Sequence, residues 1–360
     1  MTPRQVVAVA MSGGVDSSIA AALLQQQGHE VMGFTMKITG LGADLTEESE
    51  DGFSTAIDDA RQVAAKLQIP HYVFDCKEIF SREVVDEFCR EYSYGRTPNP
   101  CIRCNMKLKF GYLLEKVLAL GATYMATGHY ARLRYDPGRD RFMLLAAKDK
   151  QKDQSYALYG LNQHQLSHII FPLGGLTKKE TRALAERLGL KVAQKKDSQE
   201  ICFVPDNDYR AFLEQRIPAA IRPGLFIDAT GRVLGKHRGL PFYTVGQRRG
   251  LGISSAERLY VTDMNQTDNT ITLGPEQDLW YSQIRAEKVN WVSIPPPAKP
   301  KEARVRVRYR GVLYRAQLVP EGQAAVTIKF HQEARAPAPG QAAVFYGAED
   351  EVLGGGTIVK

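Results

Sequence analysis

No stretch of the 360-residue sequence approaches the roughly 18 consecutive apolar residues that a membrane-spanning helix requires, which excludes a helical membrane protein. The opening, MTPRQVVAVAMSGG, passes from one arginine straight into a strand-like segment without the layout of a signal peptide, so a cytoplasmic protein is expected. Cysteine is scarce: Cys76, Cys89, Cys101, Cys104 and Cys202 make five, an odd number that argues against a disulfide framework. A single Cys-x-x-Cys, with no second pair, gives little support to a four-ligand zinc site. No long internal repeat is present. What remains is ordinary globular usage, 44% apolar and 24% charged, in a chain too long for one core, so two or three domains are expected. Lys plus Arg number 47 against 40 Asp plus Glu, an excess that suits a polyanionic partner and equally suits solubility.

Along the first two hundred residues, strand and helix patterns alternate. QVVAVA (Gln5 to Ala10) reads as a buried strand, Asp16 to Gln27 as a helix stopped by Gly28, and Glu30 to Met36 as a second strand. An acidic stretch from Gly40 to Gly52 interrupts, before a helix around Ala56 to Leu67, a strand at His71 to Cys76, a helix at Phe80 to Tyr94 and a strand near Tyr124 to Ala126. This is an α/β class: a parallel sheet with helices on both faces, over residues 1–205. Closely spaced glycines with short apolar runs make 206–280 a small central β-rich domain. After the proline-rich SIPPPAKP, the alternating segments ARVRVRYR, VLYRAQLV, AAVTIKF and AAVFYG make 281–360 a C-terminal β-barrel.

Between the first strand and the first helix stands Ser12-Gly13-Gly14-Val15-Asp16-Ser17-Ser18. Glycines let backbone approach an anion, serines offer hydroxyls, and a helix N-terminus offers free N–H groups. A simple helix cap is the plain reading of a lone Gly-Gly; the whole string after an N-terminal strand favours a phosphate. It lacks the lysine of a GxxxxGK[ST] loop, which points to a pyrophosphate cradle and cleavage between the α and β phosphates of ATP. SGGVDS resembles the PP-loop ATP pyrophosphatases. Met36 and the segment Ala126-Thr127-Gly128-His129-Tyr130 end later strands, where parallel sheets present ligand loops. Met36 by itself reads as core and His129 as a structural histidine.

Thr97-Pro98-Asn99-Pro100-Cys101-Ile102-Arg103-Cys104-Asn105 sets two thiols in a proline-stiffened loop, and Lys107 and Lys109 follow at what reads as a helix start. Cations and N–H groups there are expected to lower a thiol pKa and make one cysteine nucleophilic. Cys202, in KKDSQEICF, also follows lysines. Cys76 and Cys89 read as packing residues. Cys101, Cys104 and Cys202 could instead hold an iron–sulfur cluster with one open iron. In ARVRVRYR the period of two sets four arginines on one strand face, a basic stripe for RNA phosphates, with Tyr309 available to stack. Arg248, Arg249, Lys148, Lys150 and Lys152 add positive charge.

SGGVDS, GRTPNPCIRCN, ATGHYAR, KDQSY and KKDSQEICF occur in that order, and TVGQRRGLGI, VRVRYR, GQAAVFYG and LGGG follow. Over essentially its full length the chain thereby resembles the bacterial tRNA-specific 2-thiouridylases (MnmA type) of the PP-loop superfamily. The resemblance implies ATP-dependent 2-thiolation of the wobble uridine of a tRNA. ATP, with Mg²⁺ on its phosphates and no protein ligand assigned to the metal, falls to Ala10, Met11, Ser12, Gly13, Gly14, Val15, Asp16, Ser17, Met36 and Gly128. Cys202 is implied to receive persulfide sulfur from a donor protein, a cysteine desulfurase or a persulfide relay, and Cys104 to release it, leaving a Cys104–Cys202 disulfide. Asn99, Pro100 and Cys101 match the segment against the target base; His129, Lys152, Asp153, Gln154, Arg308, Tyr309 and Gln341 match further tRNA contacts. Many family members carry Asp where Cys101 stands, an Asp given a proton-transfer role. The rival functions are another PP-loop ligase, which needs neither Cys104 nor Cys202, and an ATP-sensing RNA-binding protein.

Overall fold

A computed structural model describes residues 5–38, 47–195 and 201–359. The apolar run VVAVA forms β1 (Val6–Ala10), and β2 (Glu30–Lys37), β3 (His71–Asp75) and β4 (Tyr124–Thr127) follow it. A hairpin of β5 (Ala131–Asp136) and β6 (Arg141–Ala146) intervenes before the short β7 (Ile169–Ile170). The main sheet has the order β3-β2-β1-β4-β7, every neighbouring pair parallel. Alternation within β1 shows why helices cover both faces. Val7 and Val9 pack with Ile19 and Leu24 of α1 (Val15–Gln26) and with Ala60 and Val63 of α2 (Glu47–Leu67). Ala8, on the opposite side, packs with Phe80, Phe88 and Leu113. Strand order reverses at β1, so the crevice beyond the C-terminal ends of β1 and β4 is the natural ligand position for such a sheet.

Two helix expectations change. Helix α2 begins at Glu47, inside the stretch read as an interruption; the acidic residues at 47–51 suit a helix N-terminus, and a single glycine is tolerated in a helix. Residues 40–46 of that stretch lie outside the described residues. The helix expected over 80–94 comprises Lys77–Phe80, a π-helical Ser81–Val85, and Asp86–Ser93. A second π-helical segment, Cys104–Leu113, follows the short helix Pro100–Arg103 and leads into Leu114–Ala119.

The glycine-rich middle forms β8 (Gly224–Ile227), β9 (Val233–His237), β10 (Tyr260–Asn265) and β11 (Thr270–Gly274), in the order β10-β11-β8-β9 around Phe226, Phe242, Ile271 and Leu273. The helix before it, Tyr209–Arg216, packs back on the first core, with Tyr209 stacked on Tyr92 at 5.5 Å between centroids. The last region is a closed barrel of β12 (Trp280–Trp291), β13 (Lys301–Arg306), β14 (Leu313–Pro320), β15 (Ala325–Arg335), β16 (Ala342–Tyr346) and β17 (Val352–Val359). Alternate residues such as Val326 and Ile328 fill it, and closure leaves no free sheet edge. Hydrogen bonds fasten barrel to sheet: Thr97 N–H donates to Pro339 C=O at 2.9 Å, Tyr156 Oη to Ala342 C=O at 2.8 Å, and Asn290 Nδ2 to Tyr159 C=O at 2.7 Å. Among the described residues no helix is long and apolar enough to cross a membrane.

Candidate active site

The loop after β1 is fixed by its own hydroxyls. Ser17 Oγ accepts from Ser12 N–H at 3.1 Å and donates to Gly14 C=O at 3.2 Å; Ser18 Oγ donates to the same carbonyl at 2.9 Å. Beneath it, Thr35 Oγ1 donates to Met11 C=O at 2.7 Å. Gly14 caps α1 with extended backbone and no side-chain hydrogen bond, which leaves the helix N-terminus to an external anion. Two glycines are sterically required. Gly13 has φ +67°, and a Cβ there would meet Ala56 O at 2.3 Å; a Cβ on Gly128 would meet Asp16 C and Ser17 N at 2.7 Å. The β4 loop therefore lies directly against the phosphate loop. Ala10, Met11, Ser12 and Val15 line this turn, while Met36 is partly buried against the core.

The sequence lacks a phosphate-loop lysine, yet the structure brings lysines there from elsewhere. Lys178, 9% exposed, lies at the start of the helix Lys178–Arg187 and reaches both Asp16 carboxylate oxygens at 2.8 Å. Tyr130 Oη donates to Asp16 Oδ1 at 2.9 Å. Lys195 Nζ pairs with Asp59 at 2.7 Å and lies 3.4 Å from Gly13 C=O. A signal for Lys178 existed: Thr177 and Glu180 form a capping box, and a cation in a first helical turn opposes the helix dipole.

The cysteine loop is held by its asparagine. Asn99 Oδ1 accepts from Cys101 N–H at 3.1 Å and Ile102 N–H at 3.4 Å, Pro100 occupies the first helical position, and Arg103 bonds Glu83 through Nε to C=O at 2.9 Å and through its amino group to Oε2 at 3.0 Å. Cys101 and Cys202 are exposed, Cys104 is half-buried, and all three are unbonded thiols. Residues 196–200 of the KKDSQEICF segment lie outside the described residues; Phe203, after Cys202, packs edge-on against Phe80 and Phe88.

The expected lowering of thiol pKa is reversed. Desolvation pushes Cys104 above the ordinary thiol value, with Lys109 opposing and Cys101 adding. Cys202 is pushed up to about 12, by desolvation first, then by Cys104 and Cys101, again against Lys109. Cys202 keeps an exposed surface as a residue, yet at its thiol lost hydration outweighs the nearby cation. These mutual influences mean that Cys101, Cys104 and Cys202 share one neighbourhood. Among the described residues no group of three or more His, Cys, Asp or Glu is arranged to hold a metal ion, so the three cysteines do not fit an iron–sulfur cluster in this geometry. Cys76 and Cys89 are buried and raised to about 11 by desolvation, consistent with packing.

His129 follows Gly128, which packs on the phosphate loop. Its Nδ1 lies 2.7 Å from Thr127 Oγ1, and its ring centre lies 5.8 Å from that of Phe110 and 6.1 Å from that of Phe171. Burial, then Lys109, hold its pKa well below the ordinary value, so the ring is neutral near pH 7. Lys109 thus acts on Cys104, Cys202 and His129 alike.

The basic stripe needs correcting. Strand β13 ends at Arg306, before the last two arginines. Arg304 pairs with Asp350 at 2.9 Å, and Arg306 turns inward to Asp153 at 3.6 Å. Only Arg308 and Arg310 of the four are exposed, with Tyr309 between them; Arg310 lies over the Tyr309 ring at 5.4 Å. Lys148 pairs with Glu180 and Lys150 with Asp350, whereas Arg248 and Arg249 are exposed. Asp153 is buried, its carboxylate bonded to Ala147 N–H, Ser155 N–H and Ser155 Oγ, so it shapes the loop that carries the half-buried Lys152. Gln154 Oε1 accepts from Tyr130 N–H at 2.9 Å. Gln341 Nε2 donates to Thr97 C=O at 2.7 Å, joining the barrel to the cysteine loop.

Comparison with known proteins gives three family matches: a tRNA methyl transferase HUP domain over residues 5–206, a tRNA methyl transferase PRC-barrel domain over 210–275, and an aminomethyltransferase beta-barrel domain over 281–358. Curated relatives named tRNA-specific 2-thiouridylase MnmA include one from Heliobacterium modesticaldum, 49% identical over 99% of this chain and 93% of its own. Another, from Pelotomaculum thermopropionicum, is 49% identical over 98% of this chain and 96% of its own. A third, from Clostridium perfringens, is 46% identical over 99% of both chains.

Proposed function

The chain belongs to the tRNA-specific 2-thiouridylase family, and from that premise we propose that it thiolates the wobble uridine of a tRNA at C2, consuming ATP. ATP is the activating substrate, with Mg²⁺ on its phosphates. The cradle fits it: an uncapped helix N-terminus, two glycines whose replacement would fill the turn, and a flanking Lys178. Ser12 to Ser17 hold the phosphates, with Ala10, Met11, Met36 and Gly128 around the adenosine. The frame of the reading is three domains, 1–205, 206–280 and 281–360.

The uridine O2 attacks the α-phosphorus and pyrophosphate leaves, so that AMP becomes the leaving group at C2. The terminal sulfur of a Cys202 persulfide, loaded by a sulfur donor protein, attacks C2 and expels AMP. Cys104 thiolate then attacks Cys202 Sγ; the S–S bond to the base breaks, its electron pair stays on the base sulfur, and a Cys104–Cys202 disulfide forms for a reductant to reset. Neutral His129, Asn99, Pro100 and Cys101 bound the base, while Lys152, Arg308 and Tyr309 hold RNA. A wobble base can be splayed from its loop into such a pocket. Asp153, Gln154 and Gln341 serve by fixing the loops at 148–155 and 97–99.

The observation that carries this reading is the shared neighbourhood of Cys104, Cys202, Lys109 and His129, joined to the phosphate loop through the close packing of Gly128. A PP-loop ligase or an ATP-sensing RNA binder has no use for it. The test incubates the protein with ATP, Mg²⁺, a persulfide source and unmodified tRNA, then digests the RNA for mass spectrometry. A uridine heavier by the oxygen-to-sulfur difference is expected, lost in Cys104→Ser and in Cys202→Ser. Unchanged thiolation in either variant overturns the mechanism.

A further inference from the structure

Both side chains that grip the Asp16 carboxylate are fastened to one loop. Lys178 Nζ lies 2.8 Å from each Asp16 oxygen, and its backbone N–H donates to Asp149 Oδ2 at 3.0 Å. Tyr130 Oη donates to Asp16 Oδ1 at 2.9 Å and lies 3.0 Å from Thr181 Oγ1. Its backbone is clamped by Gln154, whose Oε1 accepts Tyr130 N–H at 2.9 Å and whose N–H donates to Tyr130 C=O at 2.9 Å. Asp149 and Gln154 bracket the loop, and Asp149 Oδ1 accepts from Gln151 N–H at 3.0 Å and Lys152 N–H at 3.3 Å. Tyr130 is 3% exposed and Lys178 9%, so neither can follow a moving loop without dragging Asp16. The loop's far side is tied to the barrel: Ser155 Oγ lies 3.2 Å from Tyr346 Oη, and Asp153 faces Arg306.

We propose that Tyr130, with Asp149 through Lys178, is a positioning residue that couples RNA engagement at the 148–155 loop to the phosphate loop. It touches no substrate. RNA that seats on Lys152 and the barrel edge resets both anchors of Asp16 at once, so nucleotide and RNA bind with a shared coupling free energy. Such coupling is reciprocal: RNA must tighten or loosen nucleotide by the same factor by which nucleotide changes RNA affinity. The inference rests on the proposed function in one respect, that RNA and ATP are the two substrates.

The test is equilibrium binding of a non-hydrolysable ATP analogue with and without saturating tRNA, and of tRNA with and without the analogue, on the full chain. The wild-type protein is expected to give the same coupling factor both ways, about fivefold or more. Tyr130→Phe, which keeps the buried ring and removes the hydroxyl, is expected to bring the factor near one. Asp149→Ala reduces it, and the double variant is no weaker than Tyr130→Phe alone. In both single variants tRNA binding without nucleotide stays within about twofold of wild type, which a merely structural role would not predict. A wild-type factor of one, an unchanged factor in Tyr130→Phe, or loss of nucleotide-free tRNA binding in that variant overturns the proposal. The thiolation assay on the wild-type protein separates the cases: if it succeeds while coupling is absent, the proposed function stands and only the positioning role falls.

Discussion

The phosphate loop is held by hydrogen bonds from its own serines and a neighbouring strand, whereas the thiol neighbourhood joins Cys104 and Cys202 from distant segments with no bond between them. At the first, the backbone is set before any ligand arrives. At the second, the two thiols proposed to react share a neighbourhood and are protonated, their pKa values raised by desolvation. The contrast suits a two-stage reaction. Phosphoryl chemistry gains from fixed donors, while thiol exchange needs sulfurs that approach, bond and part within one cycle.

Disturbing the rigid half should give the largest effect. Gly128→Val drives a side chain into the Asp16 and Ser17 backbone, and pyrophosphate release is expected to fall about 100-fold, the scale of a misplacement near 1 Å. Thiol alkylation should continue at the wild-type rate; an equal fall in both would erase the distinction between the two regions. Lys178→Met strips Asp16 of its ammonium partner and leaves it the Tyr130 hydroxyl. Because the Asp16 side chain is 31% exposed, the expected loss is about 2 kcal/mol, below that of a fully buried pair, read as a lower denaturant midpoint.

Acidity sharpens the comparison. The Cys104 pKa is raised, so its thiolate is scarce at neutral pH and grows as pH climbs toward that pKa. Sulfur transfer in single turnover should therefore accelerate from pH 7 to 8, approaching about tenfold. A flat profile would mean that another group takes the proton before the rate-limiting step. The smallest effects belong to the RNA face. Arg308→Ala should lower tRNA affinity a few-fold and reduce the salt slope by about one, as for one lost phosphate contact. Arg304→Ala, which breaks a pair with Asp350 instead, should leave that slope unchanged.

These regions also differ in how far the chain could be read without coordinates. VVAVA followed by SGGVDS marks a strand, a turn and a helix start in consecutive residues, so β1, its loop and α1 were legible. The barrel was legible for a similar reason, since alternation such as that of Val326 and Ile328 is local. The arginine stripe misled because a period of two reports faces and not partners: Asp153 and Asp350, which take Arg306 and Arg304, come from remote segments. Thiol acidity misled because lysines are visible in a sequence and desolvation is not. Lys178 was not legible as a phosphate-loop partner, because the Thr177–Glu180 capping box marks only a helix start and Asp16 is remote in sequence.

The account turns on Cys104 and Cys202 exchanging a bond over an activated base, and one experiment reads that directly. The protein, its Cys202 loaded as a persulfide, is mixed with ATP, Mg²⁺ and unmodified tRNA without reductant, quenched after one turnover and digested for peptide mass analysis. A Cys104–Cys202 disulfide appearing in step with the thiolated uridine, and only when ATP is present, is the predicted result. Thiolated uridine formed while both cysteines stay free would contradict it.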